Sequence, residues 1–277
     1  MSDAVVCPVC PHHCNLIEGS IGRCRARMNR GGKVVCSNYG KITSIALDPI
    51  EKKPLAFFHP GSKILSVGSY GCNLSCPFCQ NYDIAAAGEE HFTELHTASP
   101  ERLLEIAKDT IPDGNIGIAY TYNEALVGYE FVRDTAKLIH EEGLLNVLVT
   151  NGCASLAILE EILPYIDAMN IDLKCFTEDG YKMLGGDLKT VTDFIEASQS
   201  KCHVEITSLI VPGLNDSPEE MEDEAKWIAS LDPDIPLHIT RYFPRYKYSK
   251  APTDITLMNE LKNVASKHLS RVLLGNV

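Results

Sequence analysis

Three cysteines, Cys72, Cys76 and Cys79, stand at C-x3-C-x2-C spacing in the stretch "GSYGCNLSCPFCQNYDI". A structural zinc site wants four protein ligands, usually as two C-x2-C pairs. A plant-type ferredoxin loop spaces its cysteines C-x4-C-x2-C and adds a distant fourth. Neither pattern is met. Thiolates are soft donors suited to iron, and three on one loop can hold three irons of a cubane [4Fe–4S] cluster. The fourth iron is then left open to a substrate or cofactor, as one position is in a catalytic zinc site. Zinc stays as the competing reading, with the missing ligand against it. Gly68 and Gly71 let the backbone fold closely around such a group, and Phe78 offers a flat apolar face beside it.

A second set lies near the start of the chain. Cys7, Cys10, Cys14 and Cys24 are spaced C-x2-C-x3-C-x9-C, with His12 and His13 among them and Gly19 and Gly22 to turn the chain back. Four soft ligands this close suit a Zn2+ site or an auxiliary iron–sulfur cluster, and spacing does not choose between them. Either histidine can replace a cysteine. Free thiols are the third option, disfavoured because the segment has little apolar content with which to fold unaided. Cys36, Cys153, Cys175 and Cys202 are isolated and read as buried structural residues; Cys175 alone sits beside other polar candidates.

These groups need elements to position them. Residues 1–60 read as a small Cys-rich metal-binding module with short β-like runs, "KVVCSNYG" and "KITSIAL". From 61 to 277 apolar β-type runs alternate with helix-period segments, the pattern of βαβ units on a parallel sheet. The runs are "KILSVGS", "NIGIAYTY", "LNVLVTNG", "DAMNIDLK", "HVEITSLIVPG" and "LHITRYF", with "RVLLGNV" as a seventh. The helices after "SPER" and "SPEE" start with a Ser N-cap and Pro at the first position. Eight units close a standard barrel, so the expectation is an α/β fold with a partial (βα)6 TIM-type barrel. Active sites of such folds lie at the carboxyl ends of the strands. That rule brings Cys72, Asn123, Glu124, Asn151, Asp172, Lys174 and His238 to one rim. Singly, Asn123 can be a helix cap, Asn151 a turn residue, and Asp172 with Lys174 a surface pair; convergence is what makes them a site.

The whole of this resembles the radical S-adenosylmethionine (SAM) superfamily, whose signature is C-x3-C-x2-C after the first strand of a partial barrel. The resemblance implies that SAM occupies the open iron through its amino and carboxylate groups. It also implies that reductive cleavage yields a 5′-deoxyadenosyl radical that abstracts hydrogen. "YTYNE" falls where the superfamily contacts the SAM amino group, which gives that role to Asn123 and Glu124. "DLK" resembles the Asp172 and Lys174 pair that activating enzymes of the pyruvate formate-lyase type use on the SAM ribose and carboxylate. "TNG", with Asn151, matches another of their motifs, although Val149 replaces an acid. "VPGLND" fits a segment near the adenine, and His238 falls where they carry a SAM-contacting histidine. Phe78 belongs to the same cofactor-binding set. The chain looks closer still to the radical SAM member of the AmmeMemoRadiSam system, through "CPVCPHHCNLIEGSIGRCRARMN", "DPIEKKPL", "GCNLSCPFCQN" and "YTYNEALVGYE", with Ala125 where that family usually has Pro.

The expected function is therefore an oxidoreductase-type radical SAM enzyme whose substrate is open. One class is an activase that removes hydrogen from a glycine of a partner protein; another is AmmeMemoRadiSam-type modification of a small molecule or protein. A non-enzymatic iron–sulfur or zinc scaffold is the third. A one-electron reductant such as flavodoxin or ferredoxin is implied. With 25 Lys and Arg against 37 Asp and Glu, the formal charge of −12 disfavours nucleic acid and anionic membranes as partners. The basic stretch "RCRARMNRGGK" reads as a solvated loop. No apolar leader or long apolar span is visible, and 11 cysteines in such a chain fit a reducing, cytoplasmic setting.

Overall fold

A computed structural model describes residues 4–277. Its centre is an eight-stranded sheet whose spatial order follows the chain. The strands are β1 (Ser44–Pro49), β2 (Lys63–Gly68), β3 (Asn115–Tyr120), β4 (Leu145–Thr150), β5 (Ala168–Asp172), β6 (His203–Ile210), β7 (Leu237–Arg241) and β8 (Val272–Gly275). Each pair from β2 to β8 is parallel, and β1 alone runs antiparallel, against β2. The strands are short and rich in β-branched residues, and β2 is buried at every position after its first, as strands covered on both faces are. β1 and β8 are opposite edges, so the barrel stays open. The expected (βα)6 series is present, with "RVLLGNV" as its seventh parallel strand. "KITSIAL", within the range read as the N-terminal module, contributes β1 to this sheet.

The crossovers carry α1 (Pro100–Asp109), α2 (Tyr129–Glu141), α3 (Leu156–Ile162), α4 (Leu188–Gln199), α5 (Pro218–Leu231) and α6 (Ile255–Ala265). Ser99 and Ser217 cap α1 and α5 by accepting the amides of Arg102 and Glu220, each ahead of a Pro, as their sequences predict. α3 is shorter than its apolar pattern suggests, because Pro164 lies in the 3-10 turn Leu163–Tyr165 that follows it. A short helix, Glu178–Leu184, has no counterpart in the sequence reading; Thr177 caps it and Gly185 ends it in the left-handed region.

The N-terminal segment folds as small hairpins, Val5–Val6 with Asn15–Leu16 and Arg27–Arg30 with Lys33–Cys36. Arg27, expected in a solvated loop, is instead 3% exposed and pairs bidentately with Glu130 of α2 at 2.5 and 2.8 Å. The same segment enters the core through Cys7, Val9 and Leu16, which cluster with Ile158 of α3.

Between β1 and β2 the chain forms a strap across the polar interior of the barrel. Lys53 is buried and meets Asp48 at 2.9 Å, and the amides of Ala56 and Phe57 donate to Glu205 of β6. The Pro54 carbonyl accepts from Asn170 of β5.

One buried acid sets a pH dependence. Glu224 of α5 is 1% exposed, accepts a hydrogen bond from Ser208 of β6, and is pushed up to about 8 by burial, with Glu220 adding to the shift. Because the folded value lies above the unfolded one, its contribution is full below about 4.5 and is lost as pH rises through 8. Urea denaturation of the wild type should therefore show a decline of roughly 4 kcal/mol between about pH 5 and 9. Glu224→Gln keeps an acceptor for Ser208 and should flatten that decline; an equally steep decline in the variant would contradict the assignment.

Candidate active site

β2 ends at Gly68, and the chain leaves the sheet as an irregular loop carrying Cys72, Cys76 and Cys79. Such a loop needs partners for its backbone polar groups. Asn123, just past β3, supplies three: its Oδ1 accepts the Ser69 amide at 3.0 Å and its Nδ2 donates to the carbonyls of Tyr70 and Gly71. Gly71 has φ of +92°, and a Cβ there would lie 2.5 Å from the Cys24 carbonyl oxygen, so only glycine fits.

The three thiols line one cavity of about 260 Å³ at the carboxyl ends of the strands. Of the predicted residues, Phe78, Asn123, Glu124, Asn151, Asp172 and Lys174 line it as well. Among the described residues no fourth Cys and no His does so. Burial, with Glu124 adding to it, drives the Cys72 thiol well above its ordinary value. Burial likewise pushes Cys76 up to about 11, against the pull of Lys174. Lys174 meets Asp172 at 2.8 Å. Burial opposes its charge, but Asp172, Cys76 and Cys79 outweigh that and raise the ammonium above the usual lysine value. Asn215 of "VPGLND" donates to the Lys174 carbonyl at 3.1 Å, so that turn fixes the lysine's backbone.

Glu124 is engaged rather than free. Its carboxylate accepts from the Leu126 amide, the Thr150 hydroxyl and the Asn151 amide at 2.8–3.0 Å, tying the ends of β3 and β4 together. Asn151 in turn donates to Asn73 at 2.9 Å and lies 3.6 Å from Cys72 Sγ. Tyr122, unforeseen in the sequence, forms part of the cavity wall with a left-handed backbone, φ 74°. Its hydroxyl donates to Asp48 at 2.7 Å and its ring lies under the Lys53 ammonium, so the strap supports the cavity from below. Thr207, Leu209 and Thr240 also line it. They are the inward positions nearest the ends of β6 and β7, a signal that strand alternation carries once the strand ends are known.

His238 is not where the sequence reading put it. β7 runs to Arg241, so Thr240 takes the rim and His238 lies two residues deeper, outside the cavity lining. Its Nε2 meets Glu205 Oε2 at 2.6 Å, while His203 meets the other oxygen at 2.9 Å. Burial works against the Glu205 charge, but these histidines and the Phe57 and Ala56 amides lower it to about 2. His12 is likewise engaged, donating through Nε2 to the Asn73 carbonyl at 2.8 Å. Cys7, Cys10 and Cys24 are buried and Cys14 partly so. Among the described residues, no three Cys, His, Asp or Glu side chains converge tightly enough to hold a single ion. Cys175 is fully buried behind the rim, and Gly180 packs against its sulfur. His238→Ala should cost about 1–3 kcal/mol of stability, since it strips a donor from a buried carboxylate, with SAM affinity unchanged by equilibrium dialysis. Lost affinity at unaltered stability would return His238 to the cofactor set.

The three-cysteine loop and the strands behind it fall in a region matched by a family model. Residues 66–228 match the Radical SAM superfamily. Uncharacterized protein MJ0808 of Methanocaldococcus jannaschii is 37% identical over 277 residues, covering 99% of this chain and 81% of its own. A pyruvate formate-lyase-activating enzyme of Clostridium pasteurianum is 32% identical over 165 residues, 58% of this chain and 67% of its own. Among solved structures, QueE from Escherichia coli superposes with a TM-score of 0.53 at 13% identity over 84% of this chain and 92% of its own. Streptococcus suis SuiB bound to S-adenosylmethionine gives 0.57 at 15% identity over 77% of this chain and 52% of its own; at such identities the likeness is one of fold. Among the described residues no helix is long and apolar enough to cross a membrane. With more than half of its length matched and its sheet of the same fold, the chain belongs to the Radical SAM superfamily.

Proposed function

We propose that Cys72, Cys76 and Cys79 hold a [4Fe–4S] cluster in this cavity, with SAM on the iron they leave free. One observation carries the reading: three thiols of one loop share a cavity with Asp172 and Lys174, and among the described residues no other Cys or His lines it. The donor set fits. A cubane places each thiolate on its own iron, so its three sulfurs stand farther apart than ligands around one zinc. The thiols are raised by burial when free, so loading the site releases protons. When bound, the cluster would supply one electron for reductive cleavage of the SAM sulfonium, which would give methionine and a 5′-deoxyadenosyl radical able to remove hydrogen from the substrate.

The chain's own residues bind and orient. The Lys174 ammonium is suited to a carboxylate and the Asp172 carboxylate to ribose hydroxyls. Phe78 and Leu209 give apolar walls for the rest of the cofactor. Asn123 and Glu124 act as positioning residues, because their polar atoms already hold the loop and the ends of β3 and β4. The Asn151 amide is placed to donate to the Cys72 sulfur.

Relatives named as pyruvate formate-lyase-activating enzymes support an activase acting on a protein glycine, fed by a one-electron reductant. A second reading, AmmeMemoRadiSam-type modification of a small molecule or protein, is favoured by the segment before residue 66. It lies outside the matched domain and reaches the three-cysteine loop through His12. On this reading a metal-binding module over residues 1–60 precedes a catalytic domain over 61–277, with β1 and the strap after it as the part of the module that is built into the barrel. Zinc or an auxiliary cluster at Cys7, Cys10, Cys14 and Cys24 rests on the donor set and requires those thiols to close on the ion.

Anaerobic reconstitution followed by assay of 5′-deoxyadenosine tests the main reading. Cys76→Ala should lower its formation by at least about a thousandfold, a barrier change of roughly 4 kcal/mol, while circular dichroism stays that of the wild type. Unchanged 5′-deoxyadenosine would remove the assignment. Metal analysis of the same variant reports on the N-terminal site: stoichiometric residual zinc or iron supports it, and none argues against it.

A further inference from the structure

After β7 the chain forms a loop, "YFPRYKYSKAP", with no acidic residue and with Arg245, Lys247 and Lys250 exposed. In a chain of net charge −12 this is a local excess of cations, and among the described residues none of the three forms an ion pair. Each lies instead over a tyrosine ring: Arg245 over Tyr82, Lys247 over Tyr246 and Lys250 over Tyr248. Tyr246 is 40% exposed with φ of 55°, and its ring stacks on Tyr82 at 4.6 Å. Large rings and unpaired cations held this way form a presented surface, which a solvated loop does not need.

The loop is fastened from beneath. Tyr242 donates to the Tyr248 carbonyl at 2.6 Å, and Tyr248 donates to that of Pro212 at 2.7 Å. It is also seated on the three-cysteine loop. The Lys247 amide donates to the Pro77 carbonyl at 2.9 Å, Gln80 donates to the Phe243 carbonyl at 3.3 Å, and Tyr248 meets Phe78 edge-on. The patch is therefore the outer surface of the segment that carries Cys76 and Cys79.

We infer that this basic aromatic surface docks an acidic one-electron carrier protein, of the flavin or iron–sulfur class, over the cluster loop. The inference rests on the cluster assignment above. Charge complementarity selects the partner: unpaired cations on an acidic chain attract an acidic protein to this face. Position selects its task, because the patch is hydrogen-bonded to and packed on Pro77, Phe78 and Gln80, in the loop that carries Cys76 and Cys79. In the step the carrier loses one electron and the cluster gains it, with no bond made and no proton required to cross.

Reduced flavodoxin is the probe. Arg245→Glu, Lys247→Glu and Lys250→Glu combined should weaken its Kd by at least about tenfold and flatten the salt dependence of binding. Calorimetry on the chain with and without cluster reads this directly. Cluster bleaching by reduced flavodoxin should slow by a similar factor, while bleaching by dithionite stays that of the wild type. Unchanged flavodoxin binding and bleaching would overturn the inference. So would a loss of substrate turnover with flavodoxin reduction intact, which would make the patch a grip for an acidic substrate. Failure of the cluster assignment looks different: the wild type itself would give no SAM cleavage with dithionite, and binding to the cluster-free chain would still report on the patch.

Discussion

A loop that turns three thiols into one cavity cannot lean on a sheet, so its peptide groups must be satisfied from outside. Here the partners come from across the chain. Asn123 serves Ser69, Tyr70 and Gly71, Asn38 serves Tyr70, and His12 serves Asn73. The Leu184 carbonyl takes the Ser75 amide, and the Lys247 amide serves Pro77. Each buried group left without a partner costs about 1–3 kcal/mol. The N-terminal hairpins, the end of β3, the short helix 178–184 and the loop after β7 are thus all tied to the same few residues.

The open barrel imposes a second requirement, which the strap 50–58 meets. A parallel sheet that does not close leaves inward polar side chains in need of partners. Glu205 receives two ring nitrogens and two amides, and Asp48 receives Lys53 and the Tyr122 hydroxyl. Buried ion pairs of this kind contribute little net stability, and removing one partner is costly, so their use here is to fix position. Tyr122 makes the link to the site: the residue whose hydroxyl rests on Asp48 also walls the cavity.

Much of this is legible in the sequence. Alternating runs and Ser-Pro caps disclose the parallel series, and the three-cysteine spacing with the rule of carboxyl strand ends gathers nine residues that do line one cavity. What stays hidden depends on register and on long-range pairing. A shift of two residues along β7 exchanges Thr240 for His238, and nothing in "LHITRYF" marks where the strand stops. Glu124 looks like a free carboxylate until Thr150 and the Asn151 amide are seen on it. "DPIEKKPL" is distinctive, but its purpose is visible only when Lys53 is found buried against Asp48. Arg27 reads as a surface cation because Glu130 lies 103 positions away.

The central claim is that the three-cysteine site holds a cluster with one iron open to SAM. Electron–nuclear double resonance on the reconstituted, reduced protein with SAM labelled at its amino nitrogen tests this most directly. The account predicts a hyperfine coupling from that nitrogen, present in the wild type and absent in Cys76→Ala. A reduced cluster whose spectrum is indifferent to labelled SAM would contradict it.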